Sequence, residues 1–198
     1  IMTVNLCGNP CDYNEIYNLC DELDIKYLLE DNCESMGGKW HDARYLGTIG
    51  TMGSFSFYFS HHIQTMEGGM ITTNDKDIAD YLRSLRAHGW CRDLPDDNKI
   101  YKKTGDFFKD SFTFVTPGYS VRPLEMSGAI GSVQLKKFAN ILKYRQLNAD
   151  YFQHLFANKS WIRIQKTTER GTSSNFAFAC VLDGELKGRR DEVVKEFD

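Results

Sequence analysis

Residues 53–70 read GSFSFYFSHHIQTMEGGM, and the reading of this stretch decides the fold. Phe55, Phe57 and Phe59 alternate with Ser56, Tyr58 and Ser60, a two-residue period that predicts a strand over residues 55–59 with one apolar and one polar face. The strand delivers His61 and His62 to a Glu67-Gly68-Gly69 break, where backbone lacking Cβ atoms lets a ligand approach closely. Two readings follow: a core strand that ends in a polar loop, or a strand whose tip carries a ligand site.

Outward from this stretch, residues 2–6 form a short apolar run closed by Gly8-Asn9-Pro10, and a helix is predicted over 13–23 with Asp12 as its cap. Residues 26–29 make the next apolar run, which stops at Glu30-Asp31-Asn32-Cys33-Glu34 and then Gly37-Gly38. A strand over 70–73 leads to a helix over 76–87. Strands alternating with helices predict an α/β fold with a parallel sheet. In such sheets ligands collect beyond the carboxyl ends of strands, and Asp31, Glu34, Ser56 and His61 all fall at or near such ends.

Residues 89–112 are polar and lack periodicity, which suits an active-site flap or an inserted loop. After the turn at Pro117-Gly118-Tyr119, Leu124, Ile130, Val133, Leu135, Phe138, Ile141 and Leu142 line a long helix from about 123 to 156. The remainder reads as strands over 161–164 and 175–182 and a helix start over 189–197, as in a smaller α+β domain. The chain opens on Ile1 already in strand and closes within a helix, so a fragment of a longer protein is expected.

Composition narrows the function classes. The 198 residues are 41% apolar with a net charge of −3, charges of both signs are interspersed, and no basic face argues for nucleic acid. No apolar run is long enough to span a bilayer, and a cytoplasmic location is expected. The six cysteines form no C-x-x-C pair and no zinc-ligand spacing, so they read as reduced and no metal site is expected.

An acidic residue at a strand end beside a serine-bearing strand suits a phosphorylated pyridine cofactor: Asp31 for the ring nitrogen and Ser56 for the phosphate, although an Asp at a strand end also serves as a turn residue. The segments LLEDNCESMGG, GSFSFYFSHHIQTMEGGMITTND, LRAHGW and PGYSVRPLEMSGAIGSVQLKK resemble the DegT/StrS-type sugar aminotransferases nearly end to end. The resemblance implies the pyridoxal-phosphate (PLP)-dependent transferase fold type I, with a mostly parallel central sheet and helices on both faces. It also implies a partial large cofactor-binding domain over 1–140, a partial small α+β domain over 141–198, and a homodimer with a shared active site.

In that family the strand tip carries a lysine that binds the cofactor covalently. Here that position holds His61, and residues 53–70 contain no lysine. Histidine cannot make that link, yet its pKa near neutrality suits a general base. The substitution resembles a branch of sugar 3-dehydratases that use pyridoxamine phosphate (PMP) to remove the C3 hydroxyl of a nucleotide-linked 4-keto-6-deoxyhexose. GDP-4-keto-6-deoxymannose is the expected substrate and L-glutamate the amino donor, in dideoxysugar and O-antigen biosynthesis, as for colitose. By resemblance His61 is the base, Asp31 pairs with the pyridine nitrogen, Ser56 binds the phosphate and Glu34 lies near the 3-hydroxyl. Arg122 is the candidate for the glutamate carboxylate, or a structural ion pair, and Tyr58 is a pocket wall. Ser120 stands where the family has an Asn that reaches the partner subunit's cofactor phosphate. Iron–sulfur-dependent dehydrases of the same family need several cysteines downstream, and only Cys91 lies between His61 and Cys180. A lysine-free aminotransferase and a catalytically silent binding subunit remain as alternatives.

Overall fold

A computed structural model describes residues 1–41 and 44–196. The first strand, β1 (Met2–Val4), runs through a tight 3-10 turn at Leu6–Gly8 into helix α1 (Tyr13–Glu22). Asp12 caps α1: its carboxylate accepts from the N–H groups of Asn14 and Glu15 at 3.1 and 3.3 Å, satisfying donors that the first helical turn leaves free. Strand β2 (Leu29–Asp31) follows, then a small antiparallel pair, β3 (Lys39–Trp40) and β4 (Arg44–Tyr45). β5 (Met52–Ser56) and β6 (Gly69–Thr72) complete the main sheet, and helix α2 (Lys76–Leu85) is capped by Asp75.

The four-stranded sheet has the order β1-β2-β5-β6. β1 and β2 pair parallel, with Met2 opposite Leu29, and β2 pairs parallel with β5, with Leu29 opposite Met52. β6 departs from the expected parallel arrangement and pairs antiparallel with β5, with Gly53 opposite Thr72 and Ser56 opposite Gly69. The physical reason is the connection: residues 57–68 contain no crossover helix, and a chain that turns back directly can only run antiparallel. The sheet is therefore mixed, with two of its three pairings parallel. Its outer strands leave Met2 and Val4 exposed on one edge, and Met70 and Ile71 on the other.

The strand expected over 55–59 lies three residues earlier. β5 ends at Ser56, and Phe57 makes the last sheet-like bond by donating to the Gly68 carbonyl at 2.9 Å. Tyr58 and Phe59 then turn out of the sheet and are exposed. The aromatic alternation continues past the strand, so period alone overshoots its end. Likewise the strand expected over 26–29 is displaced to Leu29–Asp31, which puts Asp31 in the sheet.

Beneath the sheet Tyr13, Leu28, Trp40, Leu46 and Ile49 form the main core, with Tyr13 edge-on to Trp40 at 5.9 Å. Its polar centre is Glu30, 1% exposed. One carboxylate oxygen accepts from Ile49 and Gly50 N–H at 2.7 and 2.6 Å, the other from Gly47 N–H at 2.7 Å and the Tyr13 hydroxyl at 3.1 Å. Successive strand residues point to opposite faces, so Glu30 turns into the core and Asp31 turns away from it. The acidic cluster of the sequence thus divides into a structural carboxylate and a site carboxylate.

The polar stretch expected as a structureless loop over 89–112 ends in helix α3 (Phe107–Phe112), capped by Asp106 at 2.9 and 3.2 Å. The long helix is α4 (Glu125–Phe156), starting two residues after Pro123. Beyond it β7 (Ile162–Ile164) and β8 (Cys180–Leu182) form an antiparallel pair, and α5 (Arg190–Lys195) follows. Residue 197 of the helix start expected over 189–197, and residue 198 after it, lie outside the described residues.

Candidate active site

The carboxyl ends of β1, β2 and β5 converge where the chain must leave the sheet. Asn5 continues β1 by donating its N–H to the Asp31 carbonyl at 3.1 Å, and its side chain donates to Asn32 Oδ1 at 2.8 Å. Cys7 follows at φ +57° and Gly8 at φ +85°, a tight bend that gives this end of the sheet its floor. Asp31 accepts the Cys33 N–H at 3.0 Å through one oxygen, and the Cys33 thiol also lies against its carboxylate. Glu34 is not a solvated loop carboxylate: it is partly buried and accepts the Cys7 N–H at 2.7 Å. Ser56 closes β5, and its Oγ accepts the Tyr58 N–H at 3.3 Å, leaving the hydroxyl proton to donate outward.

The connection from β5 to β6 carries both histidines. His61 N–H donates to the Tyr58 carbonyl at 2.9 Å, which folds the imidazole back over its own turn. Its ring is edge-on to Tyr58 at 5.9 Å and tilted against Phe176 at 5.3 Å. His61 Nδ1 is buried without a hydrogen-bond partner among the described residues. Buried polar nitrogens are ordinarily paired, and His61 Nδ1 shares this unpartnered state with His62 Nδ1, Trp40 Nε1 and Trp90 Nε1. His62 is buried, with Nε2 3.1 Å from the Ser174 carbonyl, so Nε2 carries the proton. Burial pushes its pKa down to about 4, with Arg145 adding to the effect against the opposing carbonyl contact. His62 is therefore a neutral packing residue and His61 the partly open one.

Ser120 and Arg122 sit elsewhere. Ser120 is exposed and bridges to Ala87 just beyond α2, while the Arg122 guanidinium lies 5.6 Å from the Trp90 ring centre. Neither makes a hydrogen bond, ion pair or ring contact with Asp31, Ser56 or His61 among the described residues. His88, at φ +64°, donates its N–H to the Tyr119 carbonyl at 2.8 Å and packs on Trp90, so it holds the turn that carries Ser120. Asp31, Glu34, Ser56, Tyr58 and His61 thus share one end of the sheet, and Ser120 and Arg122 share a separate surface. Among the described residues no group of three or more His, Cys, Asp or Glu side chains is placed to hold a metal ion.

The strand expected over 175–182 is confined to Cys180–Leu182, and residues 172–176 instead form a segment outside the regular strands that crosses the strand ends. Ser174 N–H donates to the Gly8 carbonyl at 3.0 Å, Phe176 N–H to the Cys7 carbonyl at 3.1 Å, and Ser174 Oγ to the Glu34 carbonyl at 3.2 Å. Gly8 is required here: a Cβ would lie 2.5 Å from Ser174 Oγ and 2.9 Å from the Asn175 nitrogen. The run Ser173-Ser174-Asn175-Phe176 has no periodicity, and its partners lie more than a hundred residues away, so no local pattern signals it.

The model of the DegT/DnrJ/EryC1/StrS aminotransferase family matches residues 1–198. The chain belongs to this family. Among DegT/DnrJ/EryC1/StrS proteins, the GDP-4-keto-6-deoxy-D-mannose 3-dehydratase of Yersinia pseudotuberculosis is 49% identical over 197 residues, 99% of this chain and 49% of that protein. A solved Escherichia coli GDP-4-keto-6-deoxy-D-mannose-3-dehydratase with bound hydrated PLP superposes with a TM-score of 0.93 at 47% identity, covering 100% of this chain and 50% of that one. A GDP-4-keto-6-deoxymannose-3-dehydratase with a trapped PLP-glutamate geminal diamine gives the same TM-score at 46% identity and the same coverage. The chain spans about half the length of these relatives. It has the aminotransferase fold of the family, with a mixed central sheet.

Proposed function

We propose that the whole protein of which these residues are part is a PLP/PMP-dependent 3-dehydratase. It removes the C3 hydroxyl of GDP-4-keto-6-deoxymannose with L-glutamate as amino donor, for dideoxysugar and O-antigen biosynthesis. The observation that carries this reading is His61: a strand-tip imidazole with a buried unpartnered nitrogen, in a stretch without lysine, in a chain nearly half identical to such dehydratases.

The donor set fits the cofactor. The Asp31 carboxylate suits a protonated pyridine nitrogen, the spare hydroxyl proton of Ser56 suits a phosphate oxygen, and Glu34, held by the Cys7 N–H, is the candidate for the ring hydroxyl. When bound, pyridoxamine phosphate supplies an amine for the sugar ketone and a ring that accepts an electron pair. His61 holds and releases a proton at its imidazole, which lysine in this position would instead do through an amine that also binds the cofactor. Tyr58 and Phe176 flank the imidazole on two sides.

Arg122 suits the glutamate carboxylate and Ser120 the phosphate of a partner's cofactor in a homodimer; their place apart from His61 supports a role in a second subunit's site. Residues 1–140 are proposed as part of the large domain and 141–198 as part of the small one, with α4 running unbroken through the boundary. No helix among the described residues is long and apolar enough to cross a membrane, and we place the enzyme in the cytoplasm.

The test is to incubate the complete protein with PLP, L-glutamate and GDP-4-keto-6-deoxymannose. Loss of the C3 hydroxyl with ammonia release is expected; an amino sugar as product overturns the proposal. Iron and sulfide analysis of the same preparation separates it from a cluster-dependent dehydrase.

A further inference from the structure

Among the described residues the His61 ring is held by ring contacts and by no hydrogen bond. A base that must meet one reacting carbon needs its ring fixed by something else. The candidates are the two aromatic rings that touch it. Tyr58 is itself partly exposed on the same turn, so it moves with His61 and cannot serve as an external reference. Phe176 arrives from a segment more than a hundred residues away and touches both imidazoles, His61 at 5.3 Å and His62 at 5.6 Å.

Phe176 is itself held from three directions. Its N–H is bound to the Cys7 carbonyl, tying it to the end of β1. From α4, Arg145 donates through one nitrogen to the carbonyls of Asn175 at 3.0 Å and Phe176 at 2.7 Å. The next residue on that helix, Gln146, accepts from the Asn175 side chain at 2.9 Å. Asn175 stands at φ +52°, a left-handed conformation that Asn adopts more readily than most residues. His62 adds a fourth tie through its ring to the Ser174 carbonyl. This is far more restraint than packing one half-buried phenyl ring requires.

We infer that Phe176, clamped by Arg145 of α4, is a positioning residue that fixes the rotamer of the His61 imidazole for proton transfer. The inference rests on the proposed function for the reaction it serves, and it adds to that reaction a residue pair that acts through His61. It separates the two histidines by role: His61 moves the proton, and His62 anchors the segment that aims it.

The test uses the complete protein loaded with cofactor and three variants. Phe176→Leu removes the ring and keeps apolar volume; Arg145→Gln leaves the ring and removes its clamp; Phe176→Tyr keeps an aromatic face. Leu and Gln are each expected to lower kcat about 10- to 100-fold with KM for the GDP-sugar within about twofold, because misplacing a catalytic group by an ångström costs rates of this order. Tyr is expected to recover kcat to within about threefold of wild type. A second readout is independent of turnover: three-bond couplings to Cγ of labelled His61 report its χ1, showing one rotamer in wild type and averaging in Phe176→Leu and Arg145→Gln. Arg145→Gln, which keeps the Phe176 ring but removes both the clamp on its carbonyl and the guanidinium 5.8 Å from the ring centre, decides the matter if the Leu variant does not accumulate folded. Unchanged kcat, a change confined to KM, or a fall in kcat with the His61 rotamer intact would each overturn the inference. An inactive wild type showing one fixed His61 rotamer that averages in the variants would sink the proposed reaction and leave the positioning role standing.

Discussion

Replacing Glu30 by Gln tests the core geometry that places Asp31. The two side chains have the same shape, but the amide offers one acceptor oxygen where the carboxylate offers two. Turned toward Ile49 and Gly50, that oxygen keeps both bonds of 2.7 and 2.6 Å. The amide nitrogen then faces the Gly47 N–H, donor against donor, where a 2.7 Å bond had been. Tyr13 can rotate its hydroxyl to accept from the amide, so its contact survives in reversed sense. The lost charge-assisted bond is worth ~1.5–3 kcal/mol and the stranded N–H costs ~1–3 kcal/mol. A neutral amide is easier to bury than a carboxylate, which offsets part of this. The net expectation is a destabilisation of ~2–4 kcal/mol, a large share of the ~5–15 kcal/mol that holds a typical domain. Thermal unfolding of the complete protein, followed by far-ultraviolet circular dichroism, should show a midpoint lower by roughly 5–15 °C. Combining Glu30→Gln with Tyr13→Phe should cost less than the sum of the two, since they share one network with Asn5, whose amide donates to the Tyr13 hydroxyl at 2.6 Å. A midpoint within about 2 °C of wild type, or strict additivity, would show that the four bonds do not hold the strand as argued.

Three further outcomes are expected. His61→Lys should abolish dehydration and create a borohydride-reducible link to the cofactor, read by product analysis and mass spectrometry; persistent dehydration would remove His61 as the base. Asp31→Asn should weaken cofactor retention on dialysis by about tenfold or more, measured by absorbance, because the amide cannot stabilise a protonated ring nitrogen as a carboxylate does. His62 should make stability depend on pH. Its folded pKa of about 4 lies below the ordinary 6.5, so the unfolded chain binds the extra proton first. The stabilisation is complete above about pH 6.5 and is lost as the pH falls toward 4, amounting to ~3 kcal/mol at 1.36 kcal/mol per unit. Denaturant midpoints of wild type and His62→Gln should therefore converge as the pH falls from 7 to 4; parallel curves would refute the assignment.

The start of α1 was legible from Asp12 before a periodic run, whereas α3, which Asp106 caps in the same way, was not, because its six residues are too few to show a period. Strand limits were less legible. The Phe alternation at 55–59 extends beyond β5, because the aromatic pocket after Ser56 makes the same demand for rings as the sheet does. The reversal of β6 depends on what residues 57–68 do not form, and a missing helix leaves no positive signal. Asp31 and Ser56 could be placed together because each ends a strand, which topology gathers on one side, and His61 follows in the connection that leaves β5. Glu30 and Asp31 differ only in which face of β2 they meet. The roles of Arg145, Ser174 and Phe176 rest on contacts between residues 30 to 170 positions apart, and a sequence read by local pattern cannot contain them.

The two outer strands have a practical consequence. β1 and β6 each present unpaired backbone N–H and C=O groups beside exposed apolar side chains, Met2 and Val4 on one edge and Met70 and Ile71 on the other. Neither edge carries a lysine, a proline or a bulge, the features by which sheets discourage further strands from adding. Expressed by itself, this 198-residue span would be sticky at both ends of its sheet, open to stacking strand upon strand into larger particles. Work on its chemistry therefore calls for polypeptide that covers both edges, with the state of aggregation checked by light scattering before any rate is interpreted.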